Sequence, residues 1–312
     1  MQRHRNPLQE NPPNALNSPH MLKAPIRWTI PSPEPVIRPG QLNPPFDARR
    51  AGAAHVLVLG DRYRMYYWGT DAEGHHHICV AETPVDRPNA WQGRGAVLAR
   101  QPGTRYNDAG PSFPHVVPGA DGRWLLYFAG WGLPRADGRL PNTTGLAVSD
   151  DAGETWRYWS DEPILPLDRP YDCNGTGSLW VVREAGRLHM YYTAIGHYFA
   201  KPDGVQTGHG DIIPHIGIAY AVSDDGICWE KPLDHRVVEP RGLATEPYEY
   251  IASKPCLVCE GGGYRLWVHT VGTAYRVRSL VSADGLHWQW TKSGPNGEMG
   301  IGADGDIKAA KQ

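Results

Sequence analysis

The sequence predicts an all-β fold, a propeller of four-stranded antiparallel blades, and three recurrences lead there. A phrase whose second half is rich in aromatic residues appears four times, from His55 to Tyr67, His115 to Tyr127, Trp180 to Tyr191 and Cys256 to Trp267. Each copy is a β-rich run, a turn around glycine and a second run of aromatics. A hairpin signature follows it, complete in Ser149-Asp150-Asp151-Ala152-Gly153-Glu154-Thr155-Trp156 and close to complete from Ser223 to Trp229 and from Ser282 to Trp288. An apolar pair closes most units, as in Val97-Leu98, Ile164-Leu165 and Val237-Val238. Self-similarity at a period of roughly 60 to 75 residues marks a repeat architecture, one supersecondary unit per period.

Taken in order, each unit reads as four strands. The phrase supplies the two inner strands around its glycine turn, and a short apolar run supplies the third. In the hairpin signature Ser and Asp bond nearby backbone N–H groups, Gly takes the positive-φ position and Trp packs beneath. The segment Ala81 to Trp91 is a worn copy that keeps only the tryptophan. The units run about 46–100, 101–166, 167–240 and 241–292. Ahead of them, Trp28 and Val36-Ile37 look like the tail of a unit without its inner strands, an orphan outer strand over 28–45. After Trp288 no good apolar pair follows, and Ile301 to Gln312 are too few for three strands of ~5–6 residues. The expectation is therefore a five-bladed design whose last blade is incomplete. Such a gap leaves unpaired strand edges that another copy of the chain can cover.

Composition narrows the function classes. With 36 Gly and 29 Pro in 312 residues, many short strands joined by turns are favoured over helices. A net charge of −2 gives no electrostatic footprint for nucleic acid or a membrane surface. Residues 1–27 are polar and proline-rich, which reads as a flexible arm and not a secretory signal, and 301–312 read as a tail. The 5 cysteines are odd in number and irregularly spaced, which points to a reducing, cytoplasmic setting. Cys256 and Cys259 form a CxxC with no second pair, read as buried thiols. No cofactor is called for, although a propeller channel leaves room for a central divalent cation.

Acids are the candidate chemistry. Asp47, Asp108, Asp172 and the pair Glu246 and Glu249 stand seven to ten residues upstream of His55, His115, Trp180 and Cys256. In a propeller those segments lead into the innermost strands, so a shared register would deliver a ring of carboxylates to one end of the channel. The bland alternative is that Asp caps turns for local reasons. Clustered carboxylates suit glycoside chemistry: one holds its proton for the leaving oxygen, and the other stays ionised to activate water or attack carbon. His55 and His115 share an inner-strand register and could meet a sugar hydroxyl or be satisfied core residues. Lys254 could bind a carboxylate or phosphate of the substrate. Arg49 either contacts substrate or pairs with Asp47. Trp131, Tyr198 and His197 follow second strands, where loops overhang the channel and aromatics can stack on sugars. Phe199 to Ile213 reads as a mobile loop over the active face, and His75-His76-His77 as a solvent-exposed hairpin loop.

The aromatic phrase, the Ser-x-Asp-Gly-x-x-Trp hairpins and the register of acids together resemble the five-bladed β-propeller glycosidases, the superfamily of glycoside hydrolase families 32, 43, 68, 117 and 130. The resemblance covers about residues 28–300. It implies a base or nucleophile from the first blade, Asp47; an orienting carboxylate from the next, Asp108 or Asp172; and an acid from a later one, Glu249 with Glu246 in reserve. In this chain the glutamates arrive in the fourth unit, where the pattern expects the third. The complete hairpin at Ser149 to Trp156 also resembles those of sialidases, whose six blades this chain is too short to build. What is implied is a glycosidase. The same scaffold also hosts inverting glycoside phosphorylases, and a carbohydrate-binding propeller without catalysis is the third alternative.

Overall fold

The computed structural model describes residues 34–134, 136, 141–205, 210–242, 249–260, 262–272 and 274–291. Trp28, Glu246, the arm 1–27 and the tail 301–312 lie outside them. The first blade is β1 (Arg50–Leu59), β2 (Arg62–Thr70), β3 (His76–Pro84) and β4 (Gln92–Leu98), paired in that order. The second is β5 (Gly110–Val117), β6 (Trp124–Trp131), β7 (Asn142–Ser149) and the short β8 (Arg157–Tyr158), extended where the Ile164 amide donates to the Thr144 carbonyl. In the third, β9 (Gly175–Glu184), β10 (Arg187–Ala200) and β11 (Ile212–Ser223) are completed by bridges from Glu230 and Val238 to β11. The fourth is β12 (Glu249–Glu260), β13 (Gly263–Gly272), β14 (Tyr275–Ser282) and β15 (Gln289–Trp290). One parallel contact, Ile216 with Ile251, joins the third and fourth blades into a seven-stranded sheet.

The two repeated motifs turn out to be halves of one joint. Tyr66, Tyr127 and Tyr191, from the aromatic phrase of one blade, donate to the carbonyls of Gly153, Gly226 and Gly285 in the hairpin of the next, at 3.3, 2.8 and 3.0 Å. Within each hairpin the serine Oγ accepts the glycine amide, and the tryptophan Nε1 donates to the glycine carbonyl. Apolar clusters fill the space on either side of these joints, with Leu126 and Phe128 against the first blade and Leu188 and Tyr192 against the second. Gly226 shows how tight the seam is. At φ 78°, an added Cβ would lie 2.5 Å from Leu125 Cδ1 and 2.8 Å from Tyr127 Oη. Gly226→Ala is expected to destabilise the fold by about 1–3 kcal/mol in denaturant unfolding; a change within ~0.5 kcal/mol would show the joint to be slack.

Two expectations about segments need correction. Val36 and Ile37 are not in a strand: residues 34–49 form turns and bends, and Ile37, Leu42 and Phe46 pack on Met65, Tyr67 and Cys79, the face of blade one turned away from blade two. Phe199 to Ile213 is not a mobile loop at its base. β10 and β11 run on as a hairpin pairing Phe199 with Ile213, and its apolar side covers Tyr250, Ile251 and Val271 of the fourth blade.

Candidate functional site

The leading ends of β1, β5, β9 and β12 form the mouth of the channel. Below the mouth the channel is packed. His55 and His115 lie with ring centroids 4.2 Å apart, and Trp180 is 4.6 Å from His115. His55 Nδ1 accepts the Val116 amide at 3.0 Å, and His115 Nε2 accepts the Val181 amide at 3.1 Å. Each ring thus ties its own inner strand to the next, and burial favours the neutral form: His55 is pushed down to about 4 and His115 well below its ordinary value. Both histidines act here as satisfied core residues.

The acids do share a structural register, and its cause is local. Asp47 is fully buried; its Oδ2 accepts the Tyr67 hydroxyl at 2.8 Å and the Asn43 amide at 3.0 Å. Asp172, also fully buried, accepts the Tyr192 hydroxyl at 2.9 Å, the Arg169 amide at 3.1 Å and Lys231 Nζ at 2.6 Å. In the second blade the corresponding residues are Asn107 and Phe128, so acid and phenol are exchanged together. Asp108 stands one residue further on, half-buried, with Oδ1 accepting the Gly103 amide at 2.6 Å. Glu249 opens β12, fully buried; Arg278 Nε at 2.7 Å and Thr270 Oγ1 at 2.8 Å both donate to Oε1. Each carboxylate has its own partners, and none is a partner of another. Asp47 Oδ1 and Glu249 Oε2 are buried without a hydrogen bond, although Arg241 stands 3.7 Å from the latter. Arg49 does not pair with Asp47; it is exposed and reaches the Ala72 carbonyl.

The mouth itself carries rings and cations. In three inner strands a β-bulge falls just before the phrase's anchor residue, and it holds Ala53, Phe113 and Lys254 at φ 49°, 49° and 53°. Bulges with such backbone strain re-aim side chains and gather at binding sites. Here they bring Lys254 Nζ to 5.3 Å from the Phe113 ring centroid, and Phe113 to 5.0 Å from that of Trp68. Arg50 lies over the other side of the network, 4.6 Å from the Trp68 centroid. Trp131 stacks on Trp68 at 6.2 Å and donates from Nε1 to Ser112 Oγ. His76 packs edge-on against both tryptophans. Burial and the nearby Arg50 charge push His76 down to about 4; burial and Lys254 do the same to His269. Lys254 is itself lowered, by burial first and by Arg50 second.

The histidine run is therefore not solvent-exposed. His77 is buried with Nε2 2.9 Å from Asp71 Oδ2, His75 lies 3.3 Å from the same oxygen, and the His76 amide ties the hairpin to the Ala109 carbonyl of blade two. His197 is exposed on the long hairpin, 5.1 Å from His215, away from this cluster's ring contacts. Cys256 and Cys259 are free thiols; contrary to the reading of both as buried, Cys256 is half-buried and Cys259 is exposed at the end of β12. Among the described residues, no group of three or more His, Cys, Asp or Glu could hold a metal ion. A cleft of about 290 Å³ lies at the opposite end of blade one, lined by Arg62, Glu82 and Arg94, and includes none of the candidate residues.

Arg50, Trp68, His76, Phe113 and His269 were not among the sequence candidates. Pro114 and Pro255 follow Phe113 and Lys254, but a residue before proline is biased to extended backbone at negative φ, so they did not signal these positive-φ bulges.

No family model matches the chain. Two relatives from Mycobacterium tuberculosis strains, the uncharacterized proteins MT1551 and Rv1502, are each 32% identical to it over 243 residues, spanning 74% of this chain and 72% of theirs. The chain belongs to their family. Among solved structures it is similar to Zg3597, a family 117 glycoside hydrolase from the marine bacterium Zobellia galactanivorans, with TM-score 0.62 and 14% identity over 82% of this chain and 73% of that one. It is also similar to a putative glycosidase from Bacteroides thetaiotaomicron, with TM-score 0.57 and 14% identity over 81% and 75%. A thermostable family-43 glycoside hydrolase gives TM-score 0.55 and 15% identity over 82% and 76%. At such identities the likeness is one of fold. The chain has an all-β propeller fold of antiparallel four-stranded blades, like these glycoside hydrolases.

Proposed function

We propose that the protein acts on glycosides, taking a sugar at the channel mouth and cleaving it with Asp47 and Glu249 as its paired carboxylates. The observation that carries this reading is the ring network of Trp68, Phe113 and Trp131 at the inner-strand bulges, beside cations and neutral histidines. Aromatic faces beside polar groups are what a sugar ring stacks on. The choice of carboxylates rests on their second oxygens: Asp47 and Glu249 each fix one oxygen and leave the other without a hydrogen bond. Asp172 has both oxygens fixed, Oδ1 by the Arg169 amide and Oδ2 by Tyr192 and Lys231, and holds the fold. Asp108 is the remaining half-buried acid beside the mouth and takes the orienting role.

Glu249→Gln and Asp47→Asn are each expected to lower turnover of a chromogenic glycoside by about 10²–10⁴-fold while the variants remain folded. Full activity in both would remove the assignment. Phosphate dependence of the same assay separates phosphorolysis from hydrolysis. A second reading, saccharide capture without cleavage, is favoured by the full burial of both acids and by the lack of any carboxylate at the bulges themselves. Under that reading no glycoside is turned over, and binding is unchanged in both variants.

A further inference from the structure

We infer that the mouth takes an acidic saccharide, a uronic acid residue whose ring lies against Trp68 and Phe113 and whose carboxylate is held by Arg50 and Lys254. This rests on the reading that the mouth is a sugar site and adds the substrate's charge. Several buried cations elsewhere are matched by carboxylates: Lys231 with Asp172, Arg64 with Glu82, Arg278 with Glu249 and Arg236 with Glu239. The two cations of the mouth are not. Among the described residues, neither Arg50 nor Lys254 has a carboxylate within salt-bridge distance, and Lys254 Nζ has no hydrogen-bond partner.

Lys254 is nevertheless held firmly. Its backbone occupies the positive-φ bulge, and its amide donates to Thr193 Oγ1 at 3.1 Å. The charge of Arg50, at the exposed rim, adds to burial in lowering the half-buried lysine, so two like charges are kept together without an internal counter-ion. An incoming monoanion removes that repulsion. The two histidines alongside, His76 and His269, are neutral near pH 7 and can serve sugar hydroxyls without adding charge. A free oxyanion would use the cations but not the rings, and a neutral sugar the rings but not the cations. A carboxylate borne on a pyranose uses both.

The test is binding of the full chain to uronate oligosaccharides and to their methyl esters, which keep ring and linkage and lose only charge. The acids should bind at least about tenfold more tightly than the esters, with affinity falling as salt rises. Lys254→Met and Arg50→Met should each weaken uronate binding about 10–100-fold, with Lys254→Arg retaining most of it and thermal melting confirming that the variants fold. Equal binding of acid and ester would overturn this inference and leave the glycoside site standing. Failure to retain any saccharide would overturn both. Inorganic phosphate that binds alone with the same Lys254 dependence, and displaces the uronate, would make this an oxyanion site and overturn the inference.

Discussion

Replacing Lys231 by methionine is expected to cost about 3–5 kcal/mol of stability, a large share of the ~5–15 kcal/mol that holds a domain together. Lys231 Nζ lies 2.6 Å from Asp172 Oδ2 and 2.8 Å from Asp168 Oδ1, and it also donates to the Pro166 carbonyl. The side chain of Asp172 is 0% exposed and that of Lys231 3%, so water cannot replace either partner. Without the ammonium, the Asp172 carboxylate keeps only the Tyr192 hydroxyl and the Arg169 amide. That leaves a buried charge uncompensated, and the penalty is for the isolated ion, not for the lost attraction alone. Lys231→Met with Asp172→Leu should therefore recover most of the loss, because removing both ions is often neutral. Urea unfolding at pH 7 reads all three proteins. The exposed pair Arg187 and Asp224 serves as the contrast, where Arg187→Met should cost less than ~1 kcal/mol. A Lys231→Met cost that small would mean that Asp172 finds other solvation.

The joint between blades explains which parts of the architecture were readable from the chain. Tyrosine in the phrase and glycine in the hairpin recur because one bonds the other across each seam. The imperfect copies fall where a partner blade is missing among the described residues. Blade one has no preceding tyrosine to receive, and its hairpin from Ala81 to Trp91 lacks the glycine motif; blade four carries Trp267 where the others carry tyrosine. Those two departures fall on the first and the last of the described blades. The acid register was equally real, but its meaning differed. Asp47 and Asp172 each receive an amide from a few residues upstream and a phenol from 20 residues downstream, Tyr67 and Tyr192. The joint exchange to Asn107 and Phe128 was visible in the sequence and marks a packing pair. The mouth cluster was not legible, because Arg50, Trp68, Phe113 and Lys254 meet across three blades and share no period. Only the strands' bulges bring them together, and a bulge alters pairing without altering composition.

Acidification is expected to weaken the fold between pH 6.5 and about 4, well above the range in which its hairpin carboxylates titrate. His55 is held neutral, with its pKa lowered from 6.5 to about 4 by burial. In that window the unfolded chain binds a proton that the folded chain refuses, so stability is complete above 6.5 and is lost as pH falls towards 4. At 1.36 kcal/mol per unit, His55 alone contributes on the order of 3 kcal/mol. His115, fully enclosed against His55, Trp180 and the Val181 amide, acts in the same direction, as does His269 at about 4. Protonating His55 at Nδ1 also removes the lone pair that accepts the Val116 amide, which breaks that tie between inner strands. The hairpin aspartates titrate lower: Asp151 is drawn down to about 2 by its hydrogen bonds with Thr155 and Ser149, so its share disappears only below pH 4. His115→Asn, which keeps an amide acceptor without the titrating ring, should flatten the pH dependence of unfolding between 6.5 and 4 even where it lowers stability at pH 7. Unfolding free energies of the two proteins with the same slope across that window would show that the channel rings do not set the acid limit.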